Sequence, residues 1–363
     1  MALPFLALYL TRRLHFSEPQ AGVVLGCYGL GALVVSPIAG GLCDRIGPLP
    51  MMRFSLGLSG SLLLLFPFVN GYSSILILTI LWAAAAESFR PANLSLLTSL
   101  VTPAQRKPAF ALVRLAINLG MSIGPAVGGF LVLSSYSLLF WVDGATSILA
   151  GIFLSLPSVF GHMPLHGANL MRKQNDSAYR DGRLLFGLLA MLPVSIVFFQ
   201  HQSTLPLFLG GELGFSPVVY GLMLPVNTIL ILVFEVPMNV AMSHWTHRRS
   251  LVTGALLIGA GFGVLAVTRG PVMAALSVAI WSFGEIIFLP AAVAYVADIT
   301  PVGASGQYMG AYQMMFSLTL ILSPMVGTAV LQRYGSTVLW IGALAVAVAS
   351  AALLARIPSA RAA

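Results

Sequence analysis

Charged residues are scarce in this sequence. Asp, Glu, Lys and Arg make up 8% of the 363 residues, whereas hydrophobic residues make up 58%. A soluble domain carries about 25% charged residues, and so apolar a surface would not stay dispersed in water. The scarcity of charge therefore excludes an ordinary soluble protein and indicates a chain whose natural solvent is a lipid bilayer.

Cysteines and catalytic signatures are also scarce. Cys27 and Cys43 are the two cysteines, and we interpret both as small packing residues rather than a disulfide. No Gly-Lys-Ser/Thr loop follows a predicted strand, which argues against ATP hydrolysis by this chain. Two histidine pairs have spacings that could suit a metal but lack cysteine or carboxylate support: His162 with His166, and His244 with His247. We predict no catalytic residue, no cofactor and no metal, and hence a protein that is not an enzyme.

Lysine is nearly absent, with two lysines against sixteen arginines, a weak sign of a GC-rich bacterial genome. The net charge of +8 sits in predicted loops, so it reports membrane topology rather than nucleic-acid binding. One set of connections is richer in Lys and Arg, and the positive-inside rule makes that set cytoplasmic. It includes Arg45, Arg53, Arg106, Lys107, Arg172, Lys173, Arg248 and Arg249. We therefore predict an inner-membrane, multi-pass protein with a cytoplasmic central linker and C-terminus.

Long apolar segments separated by turn or charge signals fill the rest of the chain, and each spanning helix needs about 20 apolar residues. They predict eleven helices: 21–43, 51–70, 73–100, 107–133, 136–157, 183–209, 216–242, 249–268, 271–297, 304–331 and 335–357. The longest polar stretch predicts a domain organisation of an N-terminal helical bundle (1–157), a cytoplasmic linker (158–182) and a C-terminal bundle (183–363).

An internal repeat relates the two bundles at an offset of 199 residues. Trp82 matches Trp281, and Gly22 matches Gly221. The segment Gly124-Pro125-Ala126-Val127-Gly128 matches Ser323-Pro324-Met325-Val326-Gly327. The repeat predicts two pseudo-symmetric six-helix bundles. Its register places the start of the first helix about 15 residues before Met1, so we expect most of that helix to be missing from this chain, through a misassigned start or a truncation.

The segment Gly40-Gly41-Leu42-Cys43-Asp44-Arg45-Ile46-Gly47 resembles the cytoplasmic-loop signature of the major facilitator superfamily. The resemblance implies a cytoplasmic gate motif at Gly40, Asp44, Arg45 and Gly47. The carboxylate of Asp44 could cap a neighbouring helix. An ordinary solvated loop pair is the alternative. The second-half copy keeps Arg248 and Arg249 but has Ser243 and His244 at the Asp-Arg positions.

A glycine motif on the segment 107–133 is similar to that of drug/proton antiporters in this superfamily. It comprises Gly120, Gly124, Pro125, Gly128 and Gly129. Three of its glycines recur every four residues and so lie nearly on one helix face, where they let another backbone approach closely. The proline removes a backbone donor and weakens the helix locally. We expect a hinge or seal for alternating access, with static close packing as the alternative.

Several charged residues fall within predicted helices, where each costs at least about 2.5 kcal/mol near the bilayer centre. They are Glu87, Arg90, Arg114, Asp143, Glu235 and Glu285. A carboxylate buried in an apolar cavity can hold a proton at neutral pH, because burial disfavours its charged form. We predict proton coupling or a substrate cavity at these residues, with Glu87 and Glu285 as leading proton carriers and Glu235 nearer a gate. Structural ion pairs are the alternative.

Polar residues near one end of the segment 183–209 complete the candidate set. Gln200 and Gln202 lie beside Phe198 and Phe199 and could line a substrate path, or could instead hydrogen-bond between helices. The charged residues, the repeat and the resemblance together imply an all-α membrane transporter of the major facilitator fold that works as a monomer.

The expected activity is proton-coupled efflux of small amphipathic compounds by alternating access. The expected partners are the lipid bilayer, a small-molecule substrate and protons, with no nucleic acid. An importer or facilitator of a specific metabolite, and a non-transporting scaffold with a degenerate transporter fold, remain alternatives. A membrane-embedded enzyme ranks behind both.

Overall fold

A computed structural model describes residues 2–6, 9–156, 178–215 and 217–358. Eleven helices carry the fold, and the described residues contain no strand. The helices are α1 (Glu18–Ile46), α2 (Pro48–Leu65), α3 (Tyr72–Glu87), α4 (Phe89–Leu100), α5 (Arg106–Ser134), α6 (Tyr136–Phe153), α7 (Gly182–Phe198), α8 (Pro217–Ala241), α9 (His247–Val264), α10 (Pro271–Ile299) and α11 (Ser305–Leu354).

These helices follow the predicted apolar segments, with breaks inside two of them. The predicted helix 183–209 ends as α7 at Phe198 and continues in short 3₁₀, α and π turns, Phe199–His201, Thr204–Leu207 and Phe208–Glu212. The predicted helix 73–100 is interrupted at Ser88, between α3 and α4. Pro91 has no amide hydrogen and cannot donate to the carbonyl four residues earlier, at Glu87, so the helix loses a hydrogen bond at this point. The predicted helices 304–331 and 335–357 both lie within the stretch labelled α11. They meet at Gly335, whose non-helical backbone (φ 82°, ψ 171°) separates them as predicted and would be strained for a residue with a side chain.

Eight helical stretches within the described residues are long and apolar enough to cross a membrane. The shorter apolar helix 225–241 lies within α8. Most of the predicted linker 158–182 lies outside the described residues, as do His162 and His166. Its described end forms a short 3₁₀ turn, Ala178–Arg180, and the carboxylate of Asp181 then caps α7 by accepting from the amide of Arg183 at 2.8 Å.

The helices group into two compact units that do not follow the chain order. Unit 1 comprises Met1–Leu100, Ile117–Asn175 and Pro301–Met314, and unit 2 comprises Val101–Ala116, Asp176–Thr300 and Met315–Ala363. The start of α5 thus belongs with the second-half helices, and the start of α11 belongs with the first-half helices. The 199-residue repeat matches these two exchanged segments to each other. The predicted sequential division into 1–157 and 183–363 stays a prediction.

Aromatic packing holds the core of unit 1. Tyr9 meets Phe140 edge-on with ring centroids 4.7 Å apart, and Phe66 stacks on Phe140 at 5.0 Å. Helices α2 and α6 approach closely at Gly60, where an added Cβ would lie 2.7 Å from the carbonyl oxygen of Gly144. Because neither glycine has a side chain, the two backbones can touch there.

Unit 2 is organised around α10, which is buried along most of its length. At Gly254 of α9, an added Cβ would lie 2.7 Å from the Cβ of Phe288 on α10. At Gly261 it would lie 2.6 Å from the Cβ of Trp281. Glycines on α9 therefore allow the tight packing that fixes the rotation of α10 and the direction of its one mid-helix carboxylate, Glu285.

Candidate functional site

Three charged side chains meet inside unit 2. The guanidinium of Arg114, on α5, donates from Nε to Glu235 Oε1 at 2.5 Å and from Nη2 to Glu285 Oε1 at 3.0 Å. Glu235 lies on α8 and Glu285 on α10, so the arginine joins three helices. The sequence placed these residues in one functional class but did not predict that one arginine would bind both carboxylates. In particular, Glu235 shares the partner of Glu285 instead of standing apart from it.

When both carboxylates are ionised, the Arg114 cluster has one negative charge in excess, in a buried place. The side chains are 17% exposed for Arg114, 0% for Glu235 and 9% for Glu285. One cation therefore faces two carboxylates away from water, where an uncompensated charge is costly. Binding a single proton makes the cluster neutral. Because the two carboxylates share one partner, a change of charge on one alters the interaction of Arg114 with the other.

Neutral polar residues surround the cluster. The amide nitrogen of Asn227 donates to Glu285 Oε2 at 2.8 Å and to the hydroxyl oxygen of Ser282 at 2.9 Å. Asn239 donates to the backbone carbonyls of Glu235 at 2.8 Å and Ile286 at 2.9 Å. Glu235 Oε2 is buried and has no hydrogen-bond partner among the described residues. Both oxygens of Glu285 thus accept hydrogen bonds, whereas one oxygen of Glu235 accepts none from the described residues.

A smaller polar site lies in unit 1. Glu87 pairs with Arg90 through Oε2 at 3.0 Å and accepts a hydrogen bond from the phenol of Tyr28 at Oε1, also at 3.0 Å. The predicted pairing is present, across the interruption at Ser88, and the side chain of Arg90 is 56% exposed. The ring of Tyr28 packs against Trp82 with centroids 5.0 Å apart. Here one guanidinium pairs with one carboxylate, whereas in the Arg114 cluster one guanidinium pairs with two.

Two further candidates, Asp143 and Gln200, form hydrogen bonds to other parts of the protein. Asp143 accepts a hydrogen bond from the backbone amide of Ala2 at 2.7 Å. The buried side chain of Gln200 donates to the carbonyl of Ser323 at 2.9 Å and accepts from Thr204 Oγ1 at 2.7 Å. This is the contact between helices that the sequence offered as the alternative for Gln200. Gln202 is exposed, and its part in a substrate path stays a prediction.

Asp44 caps a helix that is distant in the sequence. Its carboxylate accepts from the backbone amides of Gly306 at 2.5 Å and Gln307 at 2.8 Å, in the first turn of α11. Free amides and the helix dipole both favour a negative charge at this end. Gly40 lies so close to the carbonyl of Gly306 that a Cβ would collide with it. The gate motif is therefore a capping contact within unit 1.

The other two residues of the gate motif do not join this contact. Arg45 is exposed, and Gly47 adopts a φ of 91° between α1 and α2, where its amide donates to the carbonyl of Cys43 at 2.8 Å. The positive φ explains why glycine stands at that position.

The glycine motif of α5 packs at one end only. An added Cβ at Gly128 would lie 2.8 Å from Phe5 Cε2 and 3.3 Å from Leu139 Cδ1, whereas one at Gly120 would meet nothing within 4 Å. At Gly129 the nearest atom, Phe5 Cζ, is 3.9 Å away. The repeat matches this contact to Gly327 of α11, where an added Cβ would collide with the side chain of Gln200. Gly124 and Pro125 lie in the same helix, and the hinge role of the motif stays a prediction.

A second polar cluster in unit 2 was not predicted as a site. Asp298, at the end of α10, binds both Arg106 and His247. The buried Lys107 donates to the carbonyl of Trp245 and, at 3.1 Å, to Ser250 Oγ. The repeat held the signal for this cluster. It matches Lys107 to Gly306, and it matches the loop after α8 to the gate motif that contacts Gly306. His244, by contrast, is exposed, and no group of three or more potential metal ligands occurs in the described part of the chain.

Comparison with known proteins decides the family. The profile of the Major Facilitator Superfamily matches residues 1–208 and again 184–362. The chain belongs to the major facilitator superfamily. Members of this superfamily are transporters, so the chain is a multi-pass membrane transporter and not an enzyme.

Individual relatives have low sequence identity to this chain but align with most of its length. An uncharacterized MFS-type transporter of Bacillus subtilis, YqjV, is 25% identical over 93% of this chain and 83% of its own length. Multidrug resistance protein 1 of the same organism is 24% identical over 86% of this chain and 81% of its own length. Among solved structures, the fucose:proton symporter FucP of E. coli aligns with a TM-score of 0.77 at 15% identity, covering 97% of this chain and 94% of FucP. That likeness shows the fold of the superfamily and not a substrate.

Proposed function

We propose that this transporter uses the proton gradient to export small amphipathic compounds by alternating access. The observation that carries the proposal is the Arg114 cluster, in which two buried carboxylates share one arginine. Such a cluster is short of one positive charge. It can take that charge from a proton or from a substrate that approaches Glu235 or Glu285, so that the arrival of one favours the release of the other. Similarity to Multidrug resistance protein 1 supports the substrate class.

The other candidate residues take supporting roles in this proposal. The transporter lies as a monomer in the inner membrane, with its linker and C-terminus on the cytoplasmic side. Asp44 holds the start of α11 while the cytoplasmic end is closed and releases it when that end opens. The glycine motif provides the bendable contact around Gly128. Glu87, paired with both Arg90 and Tyr28, keeps its charge and helps to form the cavity.

Transport in proteoliposomes tests the proposal. Wild-type protein should move fluorescent amphipathic dyes when a pH gradient is imposed, and a pH-sensitive dye on the other side of the membrane should report protons moving the opposite way. Glu235→Gln and Glu285→Gln each remove one carboxylate and make the cluster neutral without a proton. Both should lose gradient-driven transport by about tenfold or more, because the variant cluster no longer needs to bind a proton. A tenfold loss of rate corresponds to a rise of only about 1.4 kcal/mol in the activation barrier. Both should keep dye exchange in the absence of a gradient.

Glu212→Gln is the matched control. Glu212 is exposed, and its carboxylate contacts the hydroxyl of Ser336 rather than the cluster. This variant should transport like the wild type. Gradient-driven transport at the wild-type rate by both cluster variants would refute the coupling role. Uptake of a single sugar or amino acid down the gradient, with no dye transport, would establish the importer instead.

A further inference from the structure

The orientation of one amide side chain bears on which carboxylate of the Arg114 cluster holds the proton, a question that rests on the proposed coupling. The hydroxyl of Ser282 donates to the carbonyl of Val278 at 2.6 Å and so can only accept from a second partner. Asn227 is that partner, at 2.9 Å. Its amide must therefore present nitrogen, and not oxygen, to this corner of the site.

The same nitrogen faces Glu285. Asn227 Nδ2 lies 2.8 Å from Glu285 Oε2 and can only donate to it. The other oxygen of Glu285 accepts from Arg114 at 3.0 Å. Both oxygens therefore receive hydrogen bonds from donors, an arrangement that favours the ionised carboxylate. A proton on either oxygen would have to displace one of these bonds.

Glu235 is in the opposite situation. Its Oε1 accepts from Arg114, whereas its Oε2 is buried without a partner among the described residues. Asn239 is nearby on the same helix, but both of its amide hydrogen bonds go to backbone carbonyls. An ionised oxygen without a donor is costly in a buried place, and a proton on Oε2 removes that charge without breaking any hydrogen bond that the structure shows.

We propose that Asn227 is a positioning residue that keeps Glu285 ionised and thereby directs the exchangeable proton of the cluster to Oε2 of Glu235. The charged groups facing Glu235 are Arg114 and Glu285, and His201, in the turn after α7, interacts electrostatically with Glu285. The assignment differs from the expectation that Glu285 itself is a leading proton carrier.

The repeat supports this role of Asn227. It matches Asn227 to Tyr28, whose phenol donates to Glu87 at 3.0 Å in unit 1. The equivalent position thus supplies a hydrogen-bond donor to a carboxylate in both units, from α1 to Glu87 of α3 and from α8 to Glu285 of α10. In unit 1 the second oxygen of Glu87 is bound by Arg90, so both of its oxygens are paired. Glu235 has no such arrangement, which makes it the carboxylate with room for a proton.

Infrared spectroscopy of the purified transporter in lipid tests the assignment, because a protonated carboxyl group has its own carbonyl band. The wild type should show such a band that disappears as the pH rises. Conservative variants that keep both carboxylates assign the band: Glu235→Asp should change its frequency, whereas Glu285→Asp should leave it unchanged. The opposite pattern, with the band moved only by Glu285→Asp, would overturn the proposal while leaving proton coupling intact. Absence of any titrating carboxyl band from the wild type, together with absence of proton movement, would instead defeat the proposed function itself.

Variants of the amide separate positioning from simple packing. Asn227→Leu removes the donor from Glu285 and lets it compete for the proton, so the midpoint of the pH profile of transport should shift by about one unit, a tenfold change in proton affinity. Part of the carboxyl band should then keep its wild-type frequency in the double variant Asn227→Leu with Glu235→Asp. Asn239→Leu, which removes a more deeply buried amide from the same helix, should leave the midpoint in place. An unchanged midpoint in Asn227→Leu, or an equal shift in both variants, would refute the positioning role.

Discussion

The sharpest consequence of the Arg114 cluster concerns stability. Arg114→Gln removes the one cation that Glu235 and Glu285 share and leaves two carboxylates close together inside unit 2. Removing one partner of a buried ion pair typically costs about 3–5 kcal/mol. A charged side chain at the centre of a membrane helix costs about 2.5–3.5 kcal/mol on insertion scales. Both routes lead to a loss of about 3 kcal/mol when the carboxylates are charged.

The loss should depend on pH. At about pH 5 the two carboxylates of the variant can take up protons and become neutral, so little charge remains uncompensated. At about pH 8 they must either ionise without a partner or hold protons against the solvent, and the folded state loses free energy in both cases. We therefore expect Arg114→Gln to approach wild-type stability in acid and to fall below it by about 3 kcal/mol in mild base.

Equilibrium unfolding in mixed detergent micelles, followed by tryptophan fluorescence across that pH range, measures the effect. Arg269→Gln is the matched control, since Arg269 is exposed and lies in the connection before α10. It should lose less than about 0.5 kcal/mol at every pH. Adding Glu235→Gln and Glu285→Gln to Arg114→Gln should remove the pH dependence. A loss that is the same at all pH values, or that persists unchanged in the triple variant, would show that the cluster does not carry a net negative charge and would refute the reasoning.

Three further predictions test packing and capping contacts. Gly128→Ala should destabilise the fold by about 1–3 kcal/mol in thermal unfolding, because its Cβ would meet Phe5 at 2.8 Å. Gly120→Ala, which faces open space, should be neutral, and equal effects of the two would contradict the packing assignment. Asp44→Ala should cost about 0.5–2 kcal/mol and speed hydrogen exchange of the first amides of α11, whereas unchanged exchange would rule out the cap. Asp298→Asn should cost about 1–3 kcal/mol by unfolding, since its carboxylate binds the guanidinium of Arg106 and the imidazole of His247, both partly buried. Asp181→Asn, beside a half-exposed arginine, should cost less than about 1 kcal/mol, and a reversed order would show that the Asp298 cluster is not electrostatic.

Helix positions and membrane character could be predicted from the sequence because both depend on local composition. A run of about 20 apolar residues must satisfy its backbone hydrogen bonds internally once it is in lipid, so it forms a helix wherever it occurs. The boundaries that differ have local causes of their own. Pro91 breaks the predicted helix 73–100, and the predicted helix 183–209 changes to short turns after Phe198.

Partners of the charged residues could be predicted only where they are close in the chain. Glu87 and Arg90 are three residues apart and meet as expected, across the interruption at Ser88. The partners of Arg114 are 121 and 171 residues away in the chain, and nothing in the sequence fixed that distance. The repeat came closest to revealing them, because it matches Asn227 to Tyr28, yet it does not say which atoms meet.

The amino-acid sequence by itself determined that the chain is a bundle of membrane helices with an internal repeat, and it determined which few residues bring charge into that bundle. Only the tertiary structure decided how those charges are balanced. Arg114 is shared by Glu235 and Glu285, and the amide nitrogen of Asn227, which can only donate, faces Glu285. The physical reason is that the cost of burying a charge is a property of the residue, whereas its compensation depends on the rotation and packing of helices that are far apart in the chain.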